Sequence, residues 1–144
     1  MRTAVFDLDG TLADTSADLI AGANGALEEA GWGRPLDPLA DASVAFRGGR
    51  AMLTAGLGRQ DAADLDAGAE VERLFPVLLD HYRRVIDNET RLYDGVEDAL
   101  DVLDAEGWSL AVCTNKPVAL ADLLLDRLGL TRRFRAVLGA DSLD

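Results

Sequence analysis

Apolar residues recur with two different periods along the chain. Continuous apolar runs of strand length occur at Thr3–Phe6, at Trp108–Cys113 and around residues 134–138. Between the first two runs, apolar residues recur instead at the three- and four-residue spacing of amphipathic helices. Strands that alternate with helices are typical of an α/β fold with a parallel sheet, so the pattern predicts that fold class.

The helical pattern divides into segments at glycine, proline and polar positions. Gly31 ends the first segment, and the glycines and prolines of residues 31–38 indicate a connector. Pro76 lies inside the longest apolar stripe, where it predicts a kink or the start of a new helix. Helices are predicted over residues 16–30, over 42–57 with a loop at 47–50, over 60–69, along 71–86, over 96–107 and over 117–128.

The middle of the chain contains only helical patterns, whereas both flanking parts alternate strands and helices. We therefore predict an α/β core made of residues 1–15 and 89–144, with an all-helical insertion over 16–88. The chain crosses between these parts near residues 14–16 and 88–94.

The formal charge of −12 disfavours a nucleic-acid or membrane-surface partner, because both present anionic groups that require a basic face. Cys113 is the only cysteine, so no internal disulfide can form, and the cytoplasm is the expected compartment. We expect Cys113 to be a buried small apolar residue. The chain shows no signal peptide, and no apolar stretch approaches the roughly 20 residues of a membrane span.

Two carboxylates follow the first strand, at Asp7 and Asp9. Residues two apart in a strand point to the same side, and open α/β sheets bind ligands at the carboxyl ends of their strands. Such a pair could hold Mg2+, with one carboxylate attacking phosphorus and the other transferring protons. Gly10 would let the chain turn there, and Thr11 offers a hydroxyl and an amide. The alternative is an ordinary Asp-Gly turn with solvated carboxylates.

A second polar group, Thr114-Asn115-Lys116-Pro117, follows the strand at Trp108–Cys113. A hydroxyl and main-chain amides after a parallel strand can bind a phosphoryl oxygen. The alternative is a helix start, capped by Thr114 or Asn115 with Pro117 in the first turn.

The string Asp7-Leu8-Asp9-Gly10-Thr11-Leu12, followed by Thr-Asn-Lys-Pro, resembles the haloacid dehalogenase superfamily of aspartate-nucleophile phosphatases, and in particular its phosphoglycolate phosphatase-like members. The resemblance implies a Rossmann-like three-layer core with a parallel sheet and an inserted helical cap. It also implies that Asp7 is the nucleophile and Asp9 the general acid and base, with the Asp7 carboxylate and the Asp9 carbonyl binding Mg2+. The phosphoryl group would be held by the main chain of Leu8, Gly10 and Thr11 and by Thr114, Asn115 and Lys116.

The resemblance also implies that the helical insertion closes over the site as a lid and supplies substrate contacts. Arg47 and Arg50, which flank a glycine pair, are candidates for those contacts because guanidinium groups bind carboxylates and phosphates. The alternative is a solvated loop.

The chain departs from the family pattern in two ways. Asp94 stands where related phosphatases usually have proline, which affects loop stiffness rather than chemistry. The lysine of a third motif and the acidic pair of a fourth have no matching residues, and Lys116, the only lysine, belongs to the second motif. We therefore expect the chain to be the N-terminal two-thirds of a longer phosphatase, with sheet order 3-2-1 and the first strand at an edge.

The expected function is Mg2+-dependent hydrolysis of a small phosphomonoester similar to phosphoglycolate, by a monomer or homodimer. A sugar phosphomutase would use the same residues. An inactive fragment or phosphate-binding module is a further alternative. A receiver-type phosphoacceptor module is disfavoured because its phosphorylated aspartate ends a mid-chain strand, and this chain has no such strand.

Overall fold

The computed structural model describes residues 1–143; Asp144, which the predicted core includes, lies outside the described residues. The chain divides into two compact units, one formed by Met1–Asp14 with the chain from Thr90 onward, and one formed by Thr15–Glu89. In chain order the elements are β1 (Arg2–Phe6), β2 (Ala13–Asp14), α1 (Ser16–Glu29), α2 (Ala42–Ala45), α3 (Gly49–Gly58), α4 (Ala67–Arg84), β3 (Arg91–Leu92), α5 (Val96–Ala105), β4 (Trp108–Cys113), α6 (Val118–Arg127), a 3-10 turn (Thr131–Arg133) and β5 (Ala136–Leu138).

The α/β unit is built on a three-stranded parallel sheet in the order β1-β4-β5, which confirms the predicted fold class and strand order. The middle strand, β4, buries Leu110 and Val112 almost completely. Helix α5 packs against β4 and helix α6 against β5. The alternation along β4 therefore directs one set of side chains into the core of this unit.

The other face of the sheet is open in the part of the chain that the structure describes. Val5 is 62% exposed and Leu138 41% exposed, and Cys113, which pairs with Leu138 in the parallel register, is exposed as well. The prediction that Cys113 is buried was wrong because strand residues alternate between the two faces, and Val112 occupies the inward position.

A two-residue antiparallel ladder joins β2 and β3, pairing Ala13 with Leu92 and Asp14 with Arg91. The sequence did not predict it, because two-residue strands carry no periodic signal. Thr15 and Glu89, which we assigned to the core, fall in the helical unit. The Thr15 carbonyl accepts the first helical hydrogen bond of α1, and the Glu89 amide donates to both carboxylate oxygens of buried Asp18.

The helical unit packs α1 and α3 against α4. Its core consists of side chains that recur at helical spacing, which is why the sequence predicted α1 to within one residue. Buried members are Leu19, Ile20, Ala23, Leu27, Met52, Leu53, Val71, Leu74, Leu78 and Tyr82. No helix within residues 1–143 has both the length and the apolar character needed to cross a membrane.

One helix prediction in this unit was wrong. Residues 60–66 are not helical, and α4 begins at Ala67 because the Asp66 side chain accepts the Ala69 amide as an N-cap. Of the two effects predicted for Pro76, the start of a new helix does not occur, because Pro76 lies within α4. The apolar stripe of α4 is buried on both sides of Pro76, so tertiary packing outweighs the lost hydrogen bond.

Glycine permits a close approach between α1 and α4. A Cβ atom at Gly22 would lie 2.7 Å from Cβ and 2.9 Å from Cα of Tyr82, an α4 residue that is almost fully buried. Separations this short require the helix backbones to move. The crossing of the two helices therefore depends on the missing side chain at Gly22.

We expect Gly22→Ala to lower the free energy of unfolding by about 1–3 kcal/mol through overpacking. Intrinsic helix propensity alone would raise it by about 1 kcal/mol, so the sign of the change separates packing from propensity. Urea unfolding followed by circular dichroism measures it. The control is Gly58→Ala in α3, where nothing outside the local helix backbone comes within 4 Å of the added methyl group. A Gly22→Ala protein at least as stable as wild type would contradict this packing argument.

Candidate active site

The parallel register brings the two predicted motifs to the same edge of the sheet. Phe6, the last residue of β1, is the register partner of Val112, one residue before the end of β4. The chain leaves both strands at their carboxyl ends, where α/β sheets bind ligands. Asp7 and Thr114 therefore follow neighbouring strands at a common edge.

A compact turn over residues 7–13 positions the two carboxylates. The Leu8 carbonyl accepts the amides of Thr11, Leu12 and Ala13 at 3.0–3.3 Å, and Leu8 itself is fully buried. Gly10 has φ of 75°, a left-handed conformation that glycine adopts without strain. The turn leaves Asp7 exposed and Asp9 partly buried.

The main-chain amides of this turn are engaged within it. The Leu8 amide donates to Oδ1 of Asp7 at 2.7 Å, the Gly10 amide to the Ala13 carbonyl at 2.9 Å, and the Thr11 amide to the Leu8 carbonyl at 3.2 Å. A phosphoryl oxygen would have to share or replace these hydrogen bonds. The predicted role of these amides in phosphate binding stays a prediction.

The segment after β4 is held by its own hydrogen bonds. The Thr114 amide donates to the Leu138 carbonyl at 2.9 Å, and the Lys116 amide donates to Oγ1 of Thr114 at 3.2 Å. Thr114 is buried, whereas Asn115 is exposed. The alternative that Thr114 or Asn115 caps the next helix was wrong, because Pro117 is the N-cap residue of α6. The first amide of α6, that of Val118, donates to Oδ1 of Asp141.

Lys116 links the two motifs directly. Its Nζ lies 3.1 Å from Oδ1 of Asp9, and the side chains of Lys116 and Asp9 are only 4% and 16% exposed. Burial lowers the pKa of Lys116 below its usual value, while the charges of Asp9 and, more weakly, Asp7 oppose that shift. The two aspartates thus favour the charged form of Lys116, and burial opposes it.

Arg47 and Arg50 lie in the helical unit, and their part in substrate contact stays a prediction. Arg47 is exposed, two residues before α3 begins. Arg50 binds Glu72 through two hydrogen bonds of 2.7 and 3.2 Å, and its guanidinium lies 3.9 Å from the centre of the Phe75 ring. These contacts orient Arg50 along α4.

The donors at the strand ends fit a hard divalent cation. Asp7 is an exposed carboxylate, and the chain turns directly after Asp9, so both residues offer oxygen atoms at one edge of the sheet. Within residues 1–143, no group of three or more His, Cys, Asp or Glu side chains is placed to hold a metal ion. Mg2+ commonly uses one or two carboxylates and completes its coordination with water and substrate phosphate.

Sequence reasoning missed the residues that contact the main chain next to Lys116. Gly139, Ala140, Asp141 and Ser142 follow β5 and contact the segment from Lys116 to Val118 through hydrogen bonds and close backbone packing. Their composition predicts a turn. Nothing in a local pattern indicates which distant segment such a turn will support.

Comparison with known proteins places the chain in a family. A family model described as haloacid dehalogenase-like hydrolase matches residues 1–144, and the chain belongs to this family. The chain is 37% identical over 142 residues to a phosphoglycolate phosphatase of Agrobacterium fabrum, covering 96% of this chain and 58% of that protein. It is 38% identical over 143 residues to a phosphoglycolate phosphatase of Xanthomonas campestris pv. campestris, covering 99% of this chain and 61% of that protein.

A solved structure shares the fold over the same range. It is a predicted phosphoglycolate phosphatase from Haemophilus somnus, which superimposes with a TM-score of 0.81 at 26% identity and covers 99% of this chain and 64% of that one. The chain thus spans about three fifths of the length of the curated relatives it matches.

A double-mutant cycle on Lys116 and Asp9 tests the contact between the two motifs. We expect Lys116→Met and Asp9→Asn each to destabilise the protein, with a coupling energy of about 1–3 kcal/mol, because each single change leaves a largely buried charge without this partner. Urea unfolding of the four proteins gives the coupling.

The matched control is the cycle of Arg34→Met and Glu28→Gln, whose ion pair of 2.7 Å is exposed by half or more on both sides. Its coupling should stay below about 1 kcal/mol. Additive effects of Lys116→Met and Asp9→Asn would contradict the geometry described above.

Proposed function

We propose that the protein hydrolyses a small phosphomonoester with Mg2+, through an aspartyl-phosphate formed on Asp7. The observation that carries this proposal is the contact between Lys116 and Asp9, which joins two strand ends beside the exposed carboxylate of Asp7. Membership of the hydrolase family supports it.

Asp7 is the proposed nucleophile. The hydrogen bond from the Leu8 amide to Oδ1 orients its carboxylate, and its exposure gives a substrate access. A carboxylate oxygen of Asp7 attacks phosphorus, and the bond between phosphorus and the leaving oxygen breaks. A carboxylate can act this way because attack through a covalent intermediate divides one difficult displacement into two.

Asp9 is the proposed proton-transfer group. It donates a proton to the leaving oxygen and then takes one from the water that attacks the phosphoryl group, which releases phosphate and restores Asp7. The Lys116 side chain contacts Asp9. We propose that it also interacts with the phosphoryl oxygens of a bound substrate. Positioned positive charge stabilises the charge that develops during phosphoryl transfer.

Mg2+ would be held by the Asp7 carboxylate and the Asp9 carbonyl, and when bound it would supply positive charge that stabilises the transferring phosphoryl group. The protein's −12 charge repels anions at long range, so local groups must attract the substrate. Lys116 is such a group in this chain. Thr114 and Asn115 are the proposed polar contacts for the phosphoryl oxygens, together with the main chain of Leu8, Gly10 and Thr11.

Phosphoglycolate is the proposed substrate, since the two relatives described above are phosphoglycolate phosphatases. We also propose that the helical unit acts as a cap, with Arg47 and Arg50 contacting the substrate carboxylate. The support for the cap is its place in the chain, between Asp14 and Thr90. The proposed compartment is the cytoplasm, on the argument that a single cysteine forms no internal disulfide.

We expect Asp7→Asn to lower kcat for 2-phosphoglycolate by at least about a thousandfold, because the amide is a far weaker nucleophile than the carboxylate. Phosphate release by the purified chain with Mg2+ measures this. Wild-type protein quenched in acid during turnover should carry one phosphoryl group on the peptide that contains Asp7.

The control is Asp122→Asn, an exposed carboxylate on α6, which should retain wild-type turnover. The same low rate in wild type and Asp7→Asn would reject the proposed mechanism for this chain, as would equal and high rates in both.

Removal of divalent cations tests the metal. We expect EDTA to abolish turnover and added Mg2+ to restore it, because two adjacent carboxylates otherwise oppose binding of a phosphate. Isothermal titration of Mg2+ into the chain gives a readout independent of turnover, and Asp7→Asn should weaken binding about tenfold or more. Unchanged Mg2+ affinity in Asp7→Asn, with normal affinity in Asp122→Asn, would exclude Asp7 as a ligand.

A further inference from the structure

Residues 139–142, here called the support turn, contact the main chain of the segment from Lys116 to Val118. The Ala140 amide donates to the Lys116 carbonyl at 3.0 Å. One residue earlier, Leu138 accepts the Thr114 amide at 2.9 Å. The main chain of residues 114–116 is therefore held at both ends by the chain that leaves β5.

Gly139 makes the closest approach in this contact. A Cβ atom there would lie 2.4 Å from the Val118 nitrogen and 2.6 Å from the Lys116 carbonyl oxygen. Both are backbone atoms, which cannot turn aside as a flexible side chain can. Any side chain at position 139 would displace either the support turn or the segment from Lys116 to Val118.

Asp141 attaches the support turn to helix α6. Its Oδ1 accepts the Val118 amide at 2.8 Å, at the first residue of the helix. The position also places a carboxylate at the positive end of the helix dipole. The turn closes on itself, because the Gly139 amide donates to Oγ of Ser142 at 2.8 Å and the Ser142 amide donates to the Gly139 carbonyl at 3.1 Å.

We propose that the support turn is a positioning element for Lys116. Gly139 and Asp141 do not contact the substrate; they fix the backbone from which the buried Lys116 side chain reaches Asp9 and, on the proposed function, the phosphoryl group. The effect on phosphate binding rests on that proposed function, whereas the effect on the position of Lys116 does not.

The chemistry of the chain offers a direct probe of this position. Lys116 is the only lysine of this 144-residue chain, so Lys116 and the α-amino group are its two primary amines. The α-amino group belongs to the fully exposed Met1 and serves as an internal reference. The rate of reductive methylation of Lys116 relative to that group, measured by mass spectrometry at one pH, reports how accessible the Lys116 amine is to the reagent.

The test compares Gly139→Ala, Asp141→Ala and Asp141→Asn with wild type. Gly139→Ala forces a backbone shift, and Asp141→Ala removes the acceptor of the Val118 amide, whereas Asp141→Asn keeps an oxygen at that position. We expect methylation of Lys116 to rise about tenfold in Gly139→Ala and Asp141→Ala, because a displacement of about 1 Å is enough to break such a contact. In Asp141→Asn it should stay within about twofold of wild type. Matched controls are Gly58→Ala and Asp122→Ala, which should match wild type.

Kinetics separates positioning from general stability. For Gly139→Ala and Asp141→Ala, we expect kcat/KM for 2-phosphoglycolate to fall about tenfold and Ki for inorganic phosphate to rise about tenfold, because on the proposed function Lys116 contacts the phosphoryl oxygens both in the bound state and in the transition state. Asp141→Asn should restore both constants. If Gly139→Ala does not fold, the comparison of Asp141→Ala with Asp141→Asn carries the test alone.

The outcomes separate this inference from the proposed function. Increased Lys116 methylation in the two disruptive variants supports the inference even if wild type shows no hydrolysis, in which case the proposed function alone fails. Unchanged methylation in folded Gly139→Ala and Asp141→Ala overturns the inference, whether or not the protein is a phosphatase. Equal increases in Lys116 methylation in Asp141→Ala and Asp141→Asn also overturn it, because the hydrogen bond from the Val118 amide would then not be the cause.

Discussion

The contact between the Lys116 ammonium and the Asp9 carboxylate is the interaction on which the candidate site depends. It joins residues more than 100 positions apart, and it becomes possible only because β1 and β4 are parallel neighbours whose ends coincide. A buried lysine is costly unless a counter-charge lies close by. The same contact that lowers this cost also brings the lysine to the strand end that carries Asp7 and Asp9, where the proposed function places positive charge.

Backbone geometry at glycine positions shapes the surroundings of this contact. Gly10 permits the tight turn that presents Asp7 and Asp9, and Gly139 permits the close backbone approach behind Lys116. In the helical unit, Gly22 has the same function at the crossing of α1 and α4. At Gly10 the absence of a side chain permits the left-handed backbone conformation, and at Gly22 and Gly139 it permits the close spacing of neighbouring backbones.

Elements with a long, regular pattern were predicted well. The strand at Trp108–Cys113 and the helix over residues 16–30 follow from apolar periodicity, because each buries one face or stripe against the rest of its unit. Weak or short patterns failed. Residues 60–66 are rich in acidic residues but have no apolar stripe to bury, so they do not form a helix. The ladder of β2 with β3 is too short to leave a periodic signal.

The sequence alone determined the family and the chemical groups: two aspartates after one strand, a threonine and a lysine after another, and helices between them. Tertiary structure decided which of these groups meet. It paired Lys116 with Asp9, placed Asn115 in solvent, left Cys113 exposed and set Gly139 against the backbone of Lys116. The physical reason is that periodicity and turn chemistry depend on neighbours within a few residues, whereas contacts across the sheet depend on register, which forms only when distant strands align.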